Sequence, residues 1–173
     1  MKRMLLVVAG LMVMSGCSTL HHGGRQAAPL AESWAVIPFV NNTETPFAAE
    51  RAEAISAALL YARGVKRVLS VPQDASVEAD LLPDRGLKRS QQGLEWAKKN
   101  SISYVLAGTV TEWRYKVGLD GEPVAGFTLQ LIDLTNDTVL WSGSAGKSGW
   151  SREAVSAVAQ QVLEKLIATI ELQ

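Results

Sequence analysis

The stretch Ser103–Val117 (SYVLAGTVTEWRYKV) constrains the fold more than any other part of this 173-residue chain. From Tyr104 to Val110 both alternating sets of side chains are apolar, as in a strand covered on both faces. Beyond that point Thr111, Trp113 and Tyr115 alternate with Glu112, Arg114 and Lys116, as in a strand with one wet face. The sheet is thus expected to be sandwiched along the first half of this strand and open on one side along the second.

The neighbouring segments supply the other layers. Trp34–Val40 (WAVIPFV) reads as a short strand, with Pro38 marking an edge or a strand end. Asn41–Glu44 is a turn, and Thr45-Pro46 offers an N-cap and a first-turn proline. Ala48, Ala52, Ile55, Leu59 and Ala62 then recur at helical spacing on one face, and Gly64 can take the left-handed conformation that ends a helix. Val65–Val71 is a second strand and Pro72–Gly86 a polar loop. A helix follows to about Asn100, with Leu94 and Ala97 inward and Lys98-Lys99 at its negative end.

After the Gly118–Pro123 turn come strands at Ala125–Asp133 and Thr138–Ser144. A long helix over Ser151–Leu172 carries Val155, Val158, Val162, Leu166 and Ile170 in one stripe. The order β-α-β-α-β-β-β-α contains two β-α-β units, which imply parallel pairs, and then an antiparallel meander. The expected fold is α/β, a three-layer-type sandwich around one mixed five-stranded sheet. It forms a single domain over residues 33–173.

With 17 basic against 17 acidic residues the chain lacks the basic excess of a dedicated nucleic-acid binder, so no nucleic-acid partner is expected. Its one cysteine excludes an internal disulfide and any Cys-based metal cluster. That cysteine sits in a telling place. Met1–Arg3 is basic and Met4–Met14 (MLLVVAGLMVM) is apolar, too short to span a bilayer but suited to a secretory leader. Met14-Ser15-Gly16-Cys17 then resembles a bacterial lipobox, which implies cleavage after Gly16 and lipidation of Cys17. The alternative is an ordinary secretory signal with an incidental cysteine. Ser18, where aspartate would retain a lipoprotein in the inner membrane, points to the periplasmic face of an outer membrane.

Loss of Met1–Gly16 leaves 157 residues with 15 basic and 17 acidic side chains, a net charge of −2. Residues 17–32 read as the lipidated cysteine and a flexible tether, since Ser18–Glu32 lacks apolar periodicity and carries Gly23-Gly24 and Pro29. His21-His22 has no third ligand nearby, so no metal site is expected.

Catalytic signals are weak. Trp141–Ser148 (WSGSAGKS) stands between a strand and a helix, but a phosphate-binding loop needs glycine where Trp141 stands. A glycine-rich connection is the plainer reading. No histidine lies inside the domain and its cysteine is lipidated, so Ser-His and Cys-His systems are missing. Carboxylate pairs such as Glu50/Glu53 or Asp133/Asp137 read as solvated helix-surface and turn residues. No catalytic, metal-binding or cofactor-binding residue is assigned, and no enzyme activity is expected.

Two other features stand out. Trp150 is either an indole at a membrane interface or, with Ser151 as N-cap, a staple packed on Val155. Asp120 and Glu122 are turn carboxylates that would sum to a negative rim only if repeated around a ring.

The segments Trp34–Pro46, Ala48–Ile55 and Trp96–Glu112 resemble the domain shared by the N-terminal part of TolB and the curli secretion lipoprotein CsgG. Within that group the lipobox, the length and the Gly149-Trp150 loop are most similar to the lipoproteins of Pel exopolysaccharide export. That resemblance covers nearly the whole mature chain. It implies a non-catalytic, lipid-anchored homo-oligomer, a dodecameric ring at the periplasmic face of the outer membrane. Trp150 would lie in an aromatic belt at the membrane. An acidic funnel, to which Asp120 and Glu122 would contribute, would guide a cationic exopolysaccharide to a separate outer-membrane porin during biofilm matrix export. No cofactor is implied beyond the covalent lipid, such as palmitate, on Cys17.

A CsgG-like pore would need additional strands of about 9–11 residues per crossing, and this chain's strand candidates are already used by its own sheet. Two further readings use the same anchor. One is a monomeric periplasmic lipoprotein adaptor binding envelope proteins through Glu112, Arg114 and Lys116; the other is a small envelope hydrolase.

Overall fold

The computed structural model of the chain describes residues 18–24, 26–72, 85–118 and 121–173. The leader Met1–Gly16 and the expected lipid acceptor Cys17 lie outside the described residues, as does Asp120.

Alternation along Trp34–Ile37 explains how the layers assemble. Trp34 and Val36 enter one core with Ala52, Leu60, Val162 and Leu166, while Ala35 and Ile37 enter a second with Ala97 and Val105. Successive strand residues face opposite sides, so both faces of the sheet are covered here. The helices α1 (Ala48–Ala62) and α3 (Val155–Ala168) pack on one face and α2 (Arg85–Lys99) on the other. The α/β sandwich expected from the sequence is the observed one.

The strands among the described residues are β1 (Ser18–Gly23), β2 (Ser33–Val36), β3 (Val40–Asn41), β4 (Arg67–Ser70), β5 (Tyr104–Tyr115), β6 (Pro123–Asp133) and β7 (Thr138–Ser148). Across the sheet they run β1-β7-β6-β5-β2-β4, with β3 also paired to β5. β2 pairs in parallel with β4 and β5, and the β5–β6–β7 meander is antiparallel. The sheet is therefore mixed, as expected, but has seven strands rather than five.

Each added strand has a local cause. Pro38 has no N–H to donate, so the Trp34–Val40 run breaks after Val36 and resumes as β3 on the same neighbour. β1 corrects the tether expected from Ser18 onward. It pairs antiparallel with β7 from Ser18 opposite Lys147 to Gly23 opposite Ser142. Further along, Ala28 is fully buried and the chain is tied to the C-terminus, Ala28 N–H donating to Glu171 O at 3.0 Å and Gln173 N–H to Ala28 O at 3.2 Å.

The helix ends differ in instructive ways. α1 finishes as expected, with Gly64 at φ 93° and the Val65 N–H reaching back to Leu60 O at 3.2 Å. Its start does not. Thr45 turns its hydroxyl to the Trp113 carbonyl instead of capping, and the N-cap is Phe47 at φ 59°. The buried stripe is Ala48, Ala49, Ala52, Ser56 and Leu60, so Ile55 and Leu59 are half-buried and Ala62 is exposed. α3 begins at Val155 behind Ala154 as N-cap, four residues after the expected start at Ser151.

β5 contains a bulge between Val110 and Glu112. Without it Val110 and Trp113 would face opposite sides of the sheet; the extra residue turns both into one core, against Phe127 and Ala125. The Trp113 and Phe127 rings meet edge to face with centroids 6.1 Å apart.

Candidate functional site

Two of the residues singled out in the sequence, Trp150 and Glu122, lie at one end of the antiparallel half of the sheet. β5 and β6 close their ladder at Tyr115 opposite Pro123, and β7 ends at Ser148. The Gly149 N–H donates to Pro123 O at 2.8 Å, which holds the start of the last connection against the β5–β6 hairpin. A Cβ on Gly149 would come within 2.5 Å of Val158 Cγ2 and 2.9 Å of Pro123 Cγ, so only glycine allows that approach.

Trp150 follows and is 53% exposed. Its backbone N–H donates to Glu153 Oε2 at 3.1 Å, and the Glu153 N–H returns to Trp150 O at 3.0 Å, closing a tight turn through Arg152 at φ 72°. The geometry assumed for a staple is not formed, because the helix starts at Val155 and Trp150 lies outside the N′ position. A phenol does part of the capping instead: the Val155 N–H donates to Tyr115 Oη at 3.2 Å.

Two ion pairs form at this end. Glu122 forms an ion pair with Lys116 at 2.9 Å, and the Lys116 N–H donates to Glu122 O at 2.8 Å. Glu112 pairs with Arg114 at 2.8 Å. Glu153 also accepts from Gln161 Nε2 at 3.1 Å, and Gln161 in turn accepts from Lys147 Nζ. Trp150 and Glu122 thus sit at the same end, while Cys17 and Asp120 are outside the described residues.

Sequence reasoning missed Tyr115 and Val117. Alternation placed Tyr115 on the same face as Trp113, yet it is 50% exposed because the strand outruns α3, and Val117 beyond it is fully exposed. Their same-face spacing at the end of a strand leading into a turn was the available signal.

The usual ligand position of an open α/β sheet is the crevice at the carboxyl ends of its parallel strands. Here that crevice, of about 400 Å³, lies beyond β2 and β4 between α1 and α2. Glu50 pairs with Arg89 at 2.8 Å across it, and Glu53 accepts the Phe39 N–H at 2.8 Å. In the second carboxylate pair Asp137 is exposed, 3.6 Å from Lys98 Nζ, and Asp133 is committed to structure. Asp133 accepts from Thr135 N and Asn136 Nδ2, each at 2.8 Å, and organises the β6–β7 turn. Burial pushes its carboxyl upward, but the hydrogen bonds from Asn136 and Thr135 outweigh this and hold it below the usual range. The WSGSAGKS stretch is part of β7, its backbone used by β1 and β6 rather than by a phosphate loop. Gly143 is required there because a Cβ would meet Trp141 Cζ2 at 2.6 Å and Leu166 Cδ2 at 2.9 Å.

Among the described residues no group of three His, Cys, Asp or Glu side chains is placed to hold a metal. No helix among them is long and apolar enough to cross a membrane.

Fold and site together define a three-layer α/β domain whose antiparallel half ends in an exposed aromatic turn beside a charged hairpin. No protein-family model and no curated protein matches the sequence. Among solved structures, the PelC dodecamer from Paraburkholderia phytofirmans is 36% identical, covering 91% of this chain and 99% of that one, with a TM-score of 0.76. A leucine-to-methionine variant of the same dodecamer gives 35% identity, 91% and 100% coverage, and a TM-score of 0.74. The chain belongs to the PelC family. Lipoprotein GNA1162 from Neisseria meningitidis shares the fold, with 23% identity, 80% and 97% coverage and a TM-score of 0.57.

Proposed function

We propose that this protein is a non-catalytic lipoprotein of the outer membrane, anchored at its periplasmic face through a lipid on Cys17. It works as a homo-oligomeric ring that guides a cationic exopolysaccharide to an outer-membrane porin. The observation that carries the reading is the 36% identity, over nearly the full length of both chains, to a protein crystallised as a dodecamer. Ring symmetry matters physically, because only repetition turns one turn carboxylate and one tryptophan into a funnel and a belt.

Two features of this chain shape the reading. Glu122 is neutralised by Lys116, so the acidic lining rests mainly on Asp120. Trp150, free of the helix N-terminus and half exposed, suits the membrane interface, where an indole keeps its ring in an apolar layer and its N–H among headgroups.

The test is the mass of the lipidated protein in mild detergent, followed by mass photometry across a dilution series. A discrete oligomer of twelve subunits, the assembly of the similar structure, is expected. A stable monomer or dimer would remove the funnel and leave the adaptor reading in its place. In a host that makes the polymer, deletion should abolish its appearance outside the cell; unchanged export would end the proposal.

A further inference from the structure

We propose that the crevice at the carboxyl ends of β2 and β4 is a binding site for a protonated primary amine carried on a small hydroxylated ring. Such a site lies outside the export reading above and does not depend on it, since ring assembly and amine binding can each fail without the other.

In an open α/β sheet this crevice ordinarily suits an anion, because helix N-termini point toward it. Here the sign is reversed. Glu50 stands in the first turn of α1, where the positive end of the helix stabilises its carboxylate and where like charge repels a phosphate. Its Oε1 pairs with Arg89 of α2 at 2.8 Å, and both side chains are less than one-fifth exposed. A second carboxylate, Glu53, follows one turn later on the same helix and also lines the crevice. Among the described lining residues two carboxylates therefore stand against one guanidinium, a net charge of −1.

One oxygen of that set is left over. Glu53 Oε1 takes the Phe39 N–H at 2.8 Å, whereas Glu50 Oε2 is buried and accepts no hydrogen bond among the described residues. A buried carboxylate oxygen without a donor costs stability, and a donor that brings its own positive charge offsets that cost most fully. An ammonium supplies three such donors on a compact head, where a guanidinium would repeat the fork that Arg89 already provides.

The remaining walls describe the rest of the ligand. Trp96 and Val71 give an apolar surface on which the face of a ring can lie, and an indole also attracts a cation. Exposed Gln92 and Ser70 belong to the same lining and carry amide and hydroxyl groups suited to ring hydroxyls. The volume of about 400 Å³ lies toward the small end of ligand pockets and gives room for a single ring. The frame is rigid, because Gly93 lets α2 lie against Pro38, where a Cβ would come within 2.5 Å of Cδ.

The test is isothermal titration calorimetry of the full-length lipidated protein in mild detergent, at about pH 6.5 so that the amine is protonated. The probes are glucosamine, glucose and inorganic phosphate. Glucosamine is expected to bind in the millimolar range and glucose at least about tenfold more weakly, because the two rings differ only in the amine. Glu50→Gln should weaken glucosamine about tenfold, with thermal melting to show that the variant is folded. Gln92→Ala, an exposed change that leaves the fold intact, should weaken it about threefold, so the test stands even if the first variant fails to fold. Equal affinity for glucosamine and glucose would overturn the site's charge assignment. Phosphate bound in preference to glucosamine would return the crevice to its usual anion role and sink the amine site. Heat from none of the probes, or glucosamine binding untouched by both substitutions, would leave Glu50 and Arg89 as a structural tie alone. The mass of the same sample, measured alongside, keeps a failure here apart from a failure of the ring.

Discussion

The two halves of the sheet are finished differently. Around β2 and β4, α1 covers one face and α2 the other. α2 comes so near the chain that follows β2 that a Cβ on Gly93 would lie 2.5 Å from Pro38 Cδ. The Glu50–Arg89 pair then ties the two helices together. In the β6–β7–β1 half, α3 backs one face, while Gln130 and Ser144 on the other meet solvent. β5 belongs to both halves, buried at Val105 and Leu106 on its two faces and wet at Thr111. Where both faces need cover, polar groups serve the fold. Where one face suffices, strand ends can run past the core and present side chains to something else.

That contrast can be broken most forcefully inside the antiparallel half. Trp113→Ala empties the site created by the β5 bulge and should cost about 3–5 kcal/mol in urea unfolding. A loss near 1 kcal/mol would mean that the bulge only shapes the strand and does not anchor the core. In the sealed half, Gly93→Val should push α2 off Pro38 and cost about 1–3 kcal/mol, read from the same unfolding curves. If it were silent, α2 would not be held as tightly as the contrast requires.

A pH titration sharpens the comparison at the far turn. The folded Asp133 carboxyl titrates below its unfolded value, so its contribution is present above about pH 4 and is lost as pH falls through the folded value. Asp133→Asn should lower the melting temperature at neutral pH and flatten its fall in acid. An unchanged acid slope would assign that stability to other carboxylates. The smallest effect on stability belongs to the open end. Trp150→Ala should stay within about 0.5 kcal/mol of the parent while losing polymer export. Marked thermal destabilisation instead would return Trp150 to a packing role.

Much of the sealed half was legible in the sequence. Helix and strand periodicities are strong where both faces are apolar, and Gly64 marks a helix end that left-handed backbone confirms. β1 was not legible because all six of its residues are exposed, so no alternation betrays a strand made by its partner β7. The extension of β7 to Ser148 was hidden by glycines that look like a loop but answer to Trp141, Leu166 and the neighbouring backbone. At the candidate site, the exposure of Trp150 followed from a helix start four residues late, and the pairing of Glu122 from the hairpin bringing Lys116 across to it. Neither lies in a local pattern, since both depend on where other elements end.

The pairing of β1 also gives the domain a mechanical character. A pull arriving through the chain before Ser18 enters β1 lengthwise, and its six residues share that load in shear rather than peeling one by one. Yet none of those six residues is buried, so the strand can detach without opening the core. On the lipid-anchored reading proposed above, β1 would act as a fuse, stiff under small displacements of the membrane and releasing, at larger ones, a leash that leaves the folded body intact.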